Sequence, residues 1–497
     1  MTQQLGLLLD HPVVIAAIFI TAVGGTFQYG FCISVMTSPS AFIKELVNET
    51  CVHRYNLSSE QWQVSLIWSF TVSIFCVGGV LGSLAAGFLT TKFGRKKCLL
   101  LNNVVTVIGA ILMLLSRTAM SFEMIMVGRF LYGINAGVGL SAHTMYLNEC
   151  TPKKLWAMVG VSVSTFVSLG KFCGQLLGIR ELLGTEQNWT WLLGFNGFTA
   201  LFQILTLPFL PESPRFLLLE AGDFQAAEKA FKRFWGKQDY RKEVEEILKE
   251  KAALQNIRSQ SVLELLQNRT LRWQLLTMVA VFSTLQLCGI NAVYFYSFDV
   301  LRAAGIPEHK LAYAALGTGL CELCTSATCF MITGSAGRKV LMFRGYMAMS
   351  AALALLTATV YLQSQFSWMP YCSMVLIFLF ILCFIIGPGT MTMVLPGEIF
   401  PQSFKSAAYT LGCTINWLSL FVMGMVFPIL VEKLESFCFL VFLAACLLCG
   451  LYIRFNVPET KNRTALEIAT EFDRMHRKVG QSTEGEVCEV KTQESKL

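Results

Sequence analysis

The chain has 497 residues, of which 54% are hydrophobic and only 14% charged, and its net charge is +7. A soluble domain carries about 25% charged residues and has no core large enough for so many apolar ones, so lipid must solvate most of this chain. The modest positive balance calls for no nucleic-acid partner; in a membrane protein, basic residues report orientation instead.

The first apolar stretch, residues 13–36, is too long for a signal-peptide core. No Lys or Arg precedes it and no small-residue cleavage site follows, so it reads as a transmembrane helix. At about 20 apolar residues per crossing, further spans are predicted at 63–89, 98–116, 122–147, 156–178 and 189–210. A second set follows at 272–296, 311–333, 339–362, 368–397, 404–430 and 436–457. Between the sets, residues 211–271 change character: Phe224–Trp235 and Arg241–Gln255 are charged and helix-periodic. The expected organisation is a terminal segment 1–12, a six-helix bundle 13–210, a helical linker domain 211–271, a second bundle 272–457, and a polar tail 458–497. From Gly480 onward that tail is expected to be disordered.

The two sets repeat one pattern. Gly94-Arg95-Lys96-Lys97 links two spans in the first half and Gly337-Arg338-Lys339 links two in the second. Glu149 with Pro152 closes one span, and Glu398 with Pro401 closes its counterpart. Pro211-Glu212-Ser213-Pro214-Arg215 ends the sixth span, and Pro458-Glu459-Thr460-Lys461 the last. The offsets are 243, 249 and 247 residues. Such a duplication marks a carrier built from two copies of one membrane unit, which rock about a site between them, and not an enzyme.

The short loops carrying Lys92, Arg95, Lys96 and Lys97, Lys153 and Lys154, and Arg338 and Lys339 are predicted to be cytosolic, with both termini and the linker domain. The loop 37–62 is then external. It holds two glycosylation acceptors, Asn48-Glu49-Thr50 and Asn56-Leu57-Ser58. Asn188 also matches the pattern but hugs a helix start; Asn268 and Asn462 match it on the wrong face. Of the 17 cysteines nearly all fall inside spans, where they act as small hydrophobes. Only Cys51 is placed in an external loop, and Cys321-x-x-Cys324 sits in a span, so neither disulfides nor a metal is implied.

Rocking needs contacts that form on one face and break as the halves part. Arg95, Lys96 and Glu149 offer charge-assisted pairs of this kind, and Arg338, Lys339, Glu398 and Lys405 the matching set. Amides within spans are the second clue, because each is costly in lipid and must face protein or water. Gln286 and Asn291 in the seventh span, Asn416 in the eleventh and Gln175 in the fifth suit a neutral polyol, and Trp417 adds an apolar face. One amide alone reads equally well as helix–helix glue; several converging ones favour a site. Glu322 is the one acid deep in a span, placed to touch substrate, bind a proton or pair with Lys171 or Arg129. Arg129 itself is expected to snorkel at the outer end. Gly133 and Gly137, and Gly170, Gly174 and Gly178, recur at the spacing that allows close helix packing. Gly137–Ala142 fits a dinucleotide fingerprint only formally, since no strand precedes it. No P-loop, H-E-x-x-H or G-x-S-x-G occurs, and no cofactor is expected.

Taken with Gln286-Leu287-Cys288-Gly289-Ile290-Asn291-Ala292, the repeated Gly-Arg-Lys loops, Pro211–Arg215 and Pro458–Lys461 resemble the facilitative hexose transporters of the major facilitator superfamily. The resemblance covers Val13 to Phe472. Phe27-Gln28-Tyr29-Gly30, Asn48-Glu49-Thr50 and Gly317–Glu322 are similar to the fructose-transporting class. It implies an all-α polytopic fold, twelve transmembrane helices in two six-helix bundles with a cytosolic helical domain between them. It also implies that Gln286 and Asn291 hydrogen-bond sugar hydroxyls. Leu285, Ser164, Met393, Leu420 and Glu322 depart from residues usual in glucose carriers. Trp156 replaces a gate arginine and Gly334 a gate glutamate, which predicts a less stable outward-facing state. Cys32 stands where proton-coupled relatives carry an aspartate, so passive uniport is expected.

The expectation is therefore a plasma-membrane hexose uniporter for fructose or glucose, with Gln286, Asn291, Asn416, Trp417 and Glu322 at the site. Its partners are a small sugar and the lipid bilayer; a monomer suffices for transport. The alternatives are a urate or organic-anion carrier, a proton-coupled symporter, and a non-transporting sugar sensor.

Overall fold

In lipid every backbone N–H and C=O must be paired within its own segment, so long apolar runs are obliged to be helical. The computed structural model, which describes residues 2–236, 239–333 and 336–476, is helical throughout its regular structure, with no strand among the described residues. The first half holds Pro12–Val23 continued by Thr26–Ser34, Gln61–Phe93, Arg95–Leu115, Glu123–Cys150, Trp156–Leu177, and Trp189–Leu193 continued by Phe195–Thr206. The second holds Arg272–Leu287 continued by Ile290–Phe295, Leu311–Thr333, Arg338–Tyr361, Met369–Ile386 continued by Pro388–Ile399, Lys405–Leu434 and Cys438–Asn456. These are referred to below as the first to twelfth spans. The second and third spans extend about a turn beyond the apolar runs that predicted them, because Lys92 and Arg95 continue their helices.

Four spans are interrupted. The first breaks at Gly24–Gly25, the sixth at Gly194, the seventh at Cys288–Gly289 and the tenth at Gly387 before Pro388. Gly289 adopts φ +90°, and a Cβ there would also strike the Phe442 ring at 2.7 Å, so both conformation and space favour glycine.

The small-residue spacing does what it predicts. Gly133 and Gly137 of the fourth span lie against the second, where a Cβ at Gly137 would stand 2.5 Å from the Gly79 carbonyl oxygen and one at Gly133 2.9 Å from the Cα of Gly78. Gly170 of the fifth span meets the first in the same way, 2.8 Å from the Phe31 nitrogen. Between the halves, the second span packs on the eleventh and the fifth on the eighth.

Helices also occur where the sequence showed only loop or tail. Ser40–Tyr55 occupies most of the 37–62 segment and buries Ile43, Leu46, Val47, Thr50 and Cys51 along one side. Cys51 is therefore a core residue, not an exposed loop thiol. Ala465–His476 docks through Ile468 and Phe472, and the His476 ring stacks on Trp273 at 3.9 Å. The region after Gly480 and the gate position Gly334 lie outside the described residues. In the linker domain, Phe224–Trp235 is capped by Asp223, whose carboxylate accepts from the Ala226 N–H at 3.0 Å. It buries Phe231, Phe234 and Trp235, and Trp235 Nε1 donates to the Cys150 carbonyl at 3.0 Å, fixing the domain to the end of the fourth span.

Candidate functional site

The break in the seventh span assembles the amides. In an unbroken helix residues five apart do not face each other. Here Gly289 turns the chain between Gln286 and Asn291, so that Asn291 Nδ2 donates to Gln286 Oε1 at 2.7 Å. Gln286 Nε2 in turn donates to Asn416 Oδ1 in the eleventh span at 2.8 Å. All three side chains are buried. Next to Asn416, Trp417 reaches across to the first half: Nε1 donates to Ser83 Oγ at 3.0 Å, and the indole covers Gly79. Tyr29 and Phe75 approach it edge-on, each 5.7 Å between centroids.

Glu322 is not part of that amide chain. Its Oε1 accepts from Lys171 Nζ at 2.9 Å across the two halves, with both side chains buried. The expected alternative partner, Arg129, is elsewhere and does not snorkel. It is fully buried, donates to the Cys32 carbonyl at 2.6 Å and the Val72 carbonyl at 3.0 Å, and lies 4.6 Å over the Phe75 ring. The physical reason is that the first span ends at Ser34, which leaves the Cys32 carbonyl without a helical donor. Gln175 contacts Thr318 at 3.3 Å, also across the halves.

A polar network inside the first half escaped the sequence reading. Gln28 makes hydrogen bonds with Asn135 (2.8 Å) and Thr199 (2.9 Å), and Asn196 Nδ2 donates to Cys32 Sγ at 2.9 Å. The signal was an amide in each of the first, fourth and sixth spans.

On the face carrying the Gly-Arg-Lys loops, the two halves build the same cluster. Arg95 pairs with Glu149 and with Glu220, both at 2.9 Å; Glu149 also takes the Ser213 hydroxyl, and Glu212 accepts from the Lys96 N–H at 3.0 Å. In the second half Arg338 pairs with Glu398 at 3.2 Å, Glu398 takes the Thr460 hydroxyl, and Glu459 accepts from the Arg338 N–H at 2.9 Å. Each of these pairs lies within its own half. Lys96 Nζ donates to the Pro208 carbonyl, and neither Lys339 nor Lys405 forms an ion pair among the described residues. Trp156 Nε1 donates to the Asn148 and Thr151 carbonyls of the first half. Toward the opposite face the halves do touch: Thr37 donates to the Tyr294 carbonyl at 2.9 Å, and Tyr313 to Glu181.

The two clusters differ in exposure, which sets an expectation. The Arg95 and Glu149 side chains are 8% and 12% exposed, against 27% and 22% for Arg338 and Glu398. Arg95→Ala should therefore destabilise by about 3 kcal/mol, the scale for stripping one partner from a buried pair. Arg338→Ala should cost about 1 kcal/mol, nearer the surface range. Thermal melts of the detergent-purified variants check this order; equal shifts would contradict it.

Comparison with known proteins gives consistent results. A family model for sugar (and other) transporters matches residues 17–472. The chain is 42% identical to solute carrier family 2, facilitated glucose transporter member 9 of Mus musculus, over 93% of this chain and 86% of that protein. It is 41% identical to member 11 of Homo sapiens, over 94% and 95%, and 38% identical to member 5 of Bos taurus, over 96% and 95%. Among solved structures it resembles the inward-open xylose transporter XylE from E. coli, with TM-score 0.74, 19% identity, and 92% and 99% of the two chains covered. The partially occluded inward-open form of that protein gives 0.73, with 91% and 100% covered. At that identity the likeness is one of fold.

Proposed function

This chain belongs to the sugar (and other) transporter family, and on that premise we propose that it carries a hexose, fructose or glucose, down its gradient across the plasma membrane by alternating access. The observation that carries this reading is the amide chain Asn291–Gln286–Asn416 at the broken seventh span. Three neutral groups that each donate and accept match the hydroxyls of an uncharged sugar. In this structure they satisfy one another, so a bound sugar would exchange hydrogen bonds with them and leave no buried polar group bare. Trp417 supplies the flat apolar wall beside them.

Uniport is favoured over proton coupling because Cys32 occupies the first-span position where coupled relatives have an acid. The neighbouring guanidinium of Arg129 is held by carbonyls and not by a carboxylate. The gate residues Arg95, Glu149, Arg338 and Glu398 brace the ends of the spans within each half. When the halves close on the loop face, these clusters are brought together as the contacting rims.

Uptake of labelled fructose, glucose and urate into proteoliposomes at symmetric pH, with and without a proton gradient, tests the reading. Saturable hexose uptake that ignores the gradient is expected. Urate uptake alone would overturn the substrate class, and binding without flux would mark a sensor.

Orientation is read from the basic loops: both termini and residues 211–271 are cytosolic. Asn48 and Asn56 are exposed on the opposite face, Asn48 midway along the helix Ser40–Tyr55 and Asn56 as the left-handed residue that ends it. Digestion of the cell-expressed protein with an N-glycosidase should lower its apparent mass, and Asn48→Gln/Asn56→Gln should remove that shift. A shift that is lost only when Asn268 or Asn462 is replaced would contradict this topology.

A further inference from the structure

The fifth and eighth spans meet through three polar rungs, one helical turn apart. Ser168 and Ser326 share a hydrogen bond at 2.7 Å, Lys171 and Glu322 form the ion pair at 2.9 Å, and Gln175 donates to Thr318 at 3.3 Å. The middle rung is held from behind. Ser34 donates to the Lys171 carbonyl at 2.8 Å, and Gly30 lets the first span lie directly on this stretch of backbone. Lys171 Nζ also sits 4.5 Å over the ring of Tyr294, one turn beyond Asn291. The pair thus adjoins the helix that carries two of the three amides. Glu322 Oε2 is buried and has no hydrogen-bond partner among the described residues.

We propose that Lys171 is a specificity-determining residue, which holds Glu322 as half of a neutral pair so that the transport path presents a polar wall without net charge. This rests on the reading of the protein as a hexose carrier. A lone carboxylate here would repel anions and attract cations; a lone ammonium would do the reverse. In the low-dielectric space between bundles either field reaches much farther than that of the pair, whose opposite charges lie one hydrogen bond apart. Discrimination for uncharged cargo then comes from cancelling charge at this rung, while the amides supply hydrogen bonds.

The alternative is that the pair only fastens the bundles together. The two differ in what a single neutralisation does to charge selectivity. Glu322→Gln keeps the shape and leaves Lys171 unopposed, so urate uptake should rise about tenfold above the native level while hexose uptake falls by a similar factor. Lys171→Met should lower hexose uptake with no gain of urate. The double variant Lys171→Met/Glu322→Gln is neutral again, and should recover hexose uptake to within about threefold of native without moving urate. Rates are normalised to protein that elutes as a single peak, so loss of folding is scored separately.

A well-folded Glu322→Gln that moves no urate would overturn the proposal. So would urate uptake that stays raised in the double variant, whose rung is neutral again; recovered folding there is expected of either role, because it removes the buried unpaired charge. Failure of the underlying reading is visible on its own: it is absence of hexose uptake in the native protein, whereas anion uptake is measured independently.

Discussion

Gly133→Val should leave no folded carrier to assay. A Cβ at Gly133 would run into the Phe75 carbonyl oxygen and stand 2.9 Å from the Cα of Gly78. Both obstacles are backbone of the second span, so no side chain can swing aside. Overpacking in a core typically costs 1–3 kcal/mol when neighbours adjust; here two long helices must move apart along a seam that Gly78, Gly82 and Gly137 also line. The expected loss is about 5 kcal/mol or more, comparable to the whole stability of many proteins. Size-exclusion profiles of fluorescently tagged protein should show the native peak gone. Gly160→Ala is the control, because nothing lies within 4 Å of a Cβ there, and it should elute like the native protein. A normal profile for Gly133→Val would mean that this seam does not govern assembly.

The largest effect on transport is expected at Gln286. It is the middle member of the amide chain, so Gln286→Ala strips partners from both Asn291 and Asn416 as well as removing its own groups. A buried polar group left unpaired costs about 1–3 kcal/mol. A loss near 2 kcal/mol from transition-state stabilisation would lower hexose uptake about 30-fold. Rates in proteoliposomes, normalised to folded protein at matched density, check this. Uptake within about twofold of native would remove Gln286 from the site.

The spans were legible because lipid imposes a simple rule on length and hydrophobicity. The repeated loops were legible because charged residues stand out between such runs. The breaks at Gly24–Gly25, Gly289 and Gly387 were not, since hydropathy averages over a glycine and does not sense φ. That blindness mattered most at Gln286 and Asn291. A five-residue separation does not put two side chains on one face of a regular helix, and it is the turn at Gly289 that brings these two together. Arg129 was misread for a related reason. An arginine in a span is expected to reach for water, but here a helix end offers it a bare carbonyl. The helix Ser40–Tyr55 was missed because its apolar residues lie on one side of a polar segment, too few to register as a run. Lys171 and Glu322 were recognisable as candidate partners from their burial in spans; that neighbouring rungs would align them between bundles depends on packing that no local pattern encodes.

The loop-face clusters have a consequence for how the protein is made. Glu149 is seated by Ser213, and Arg95 by Glu220, residues that lie beyond the last helix of their own bundle. In the second half Glu398 waits for Thr460, past the end of the twelfth span at Asn456. During synthesis all six helices of a bundle are therefore in the membrane before its clasp can close. A chain ending just short of Thr460 would contain every transmembrane helix, yet release a second bundle held at its rim without the Thr460 hydroxyl that seats Glu398.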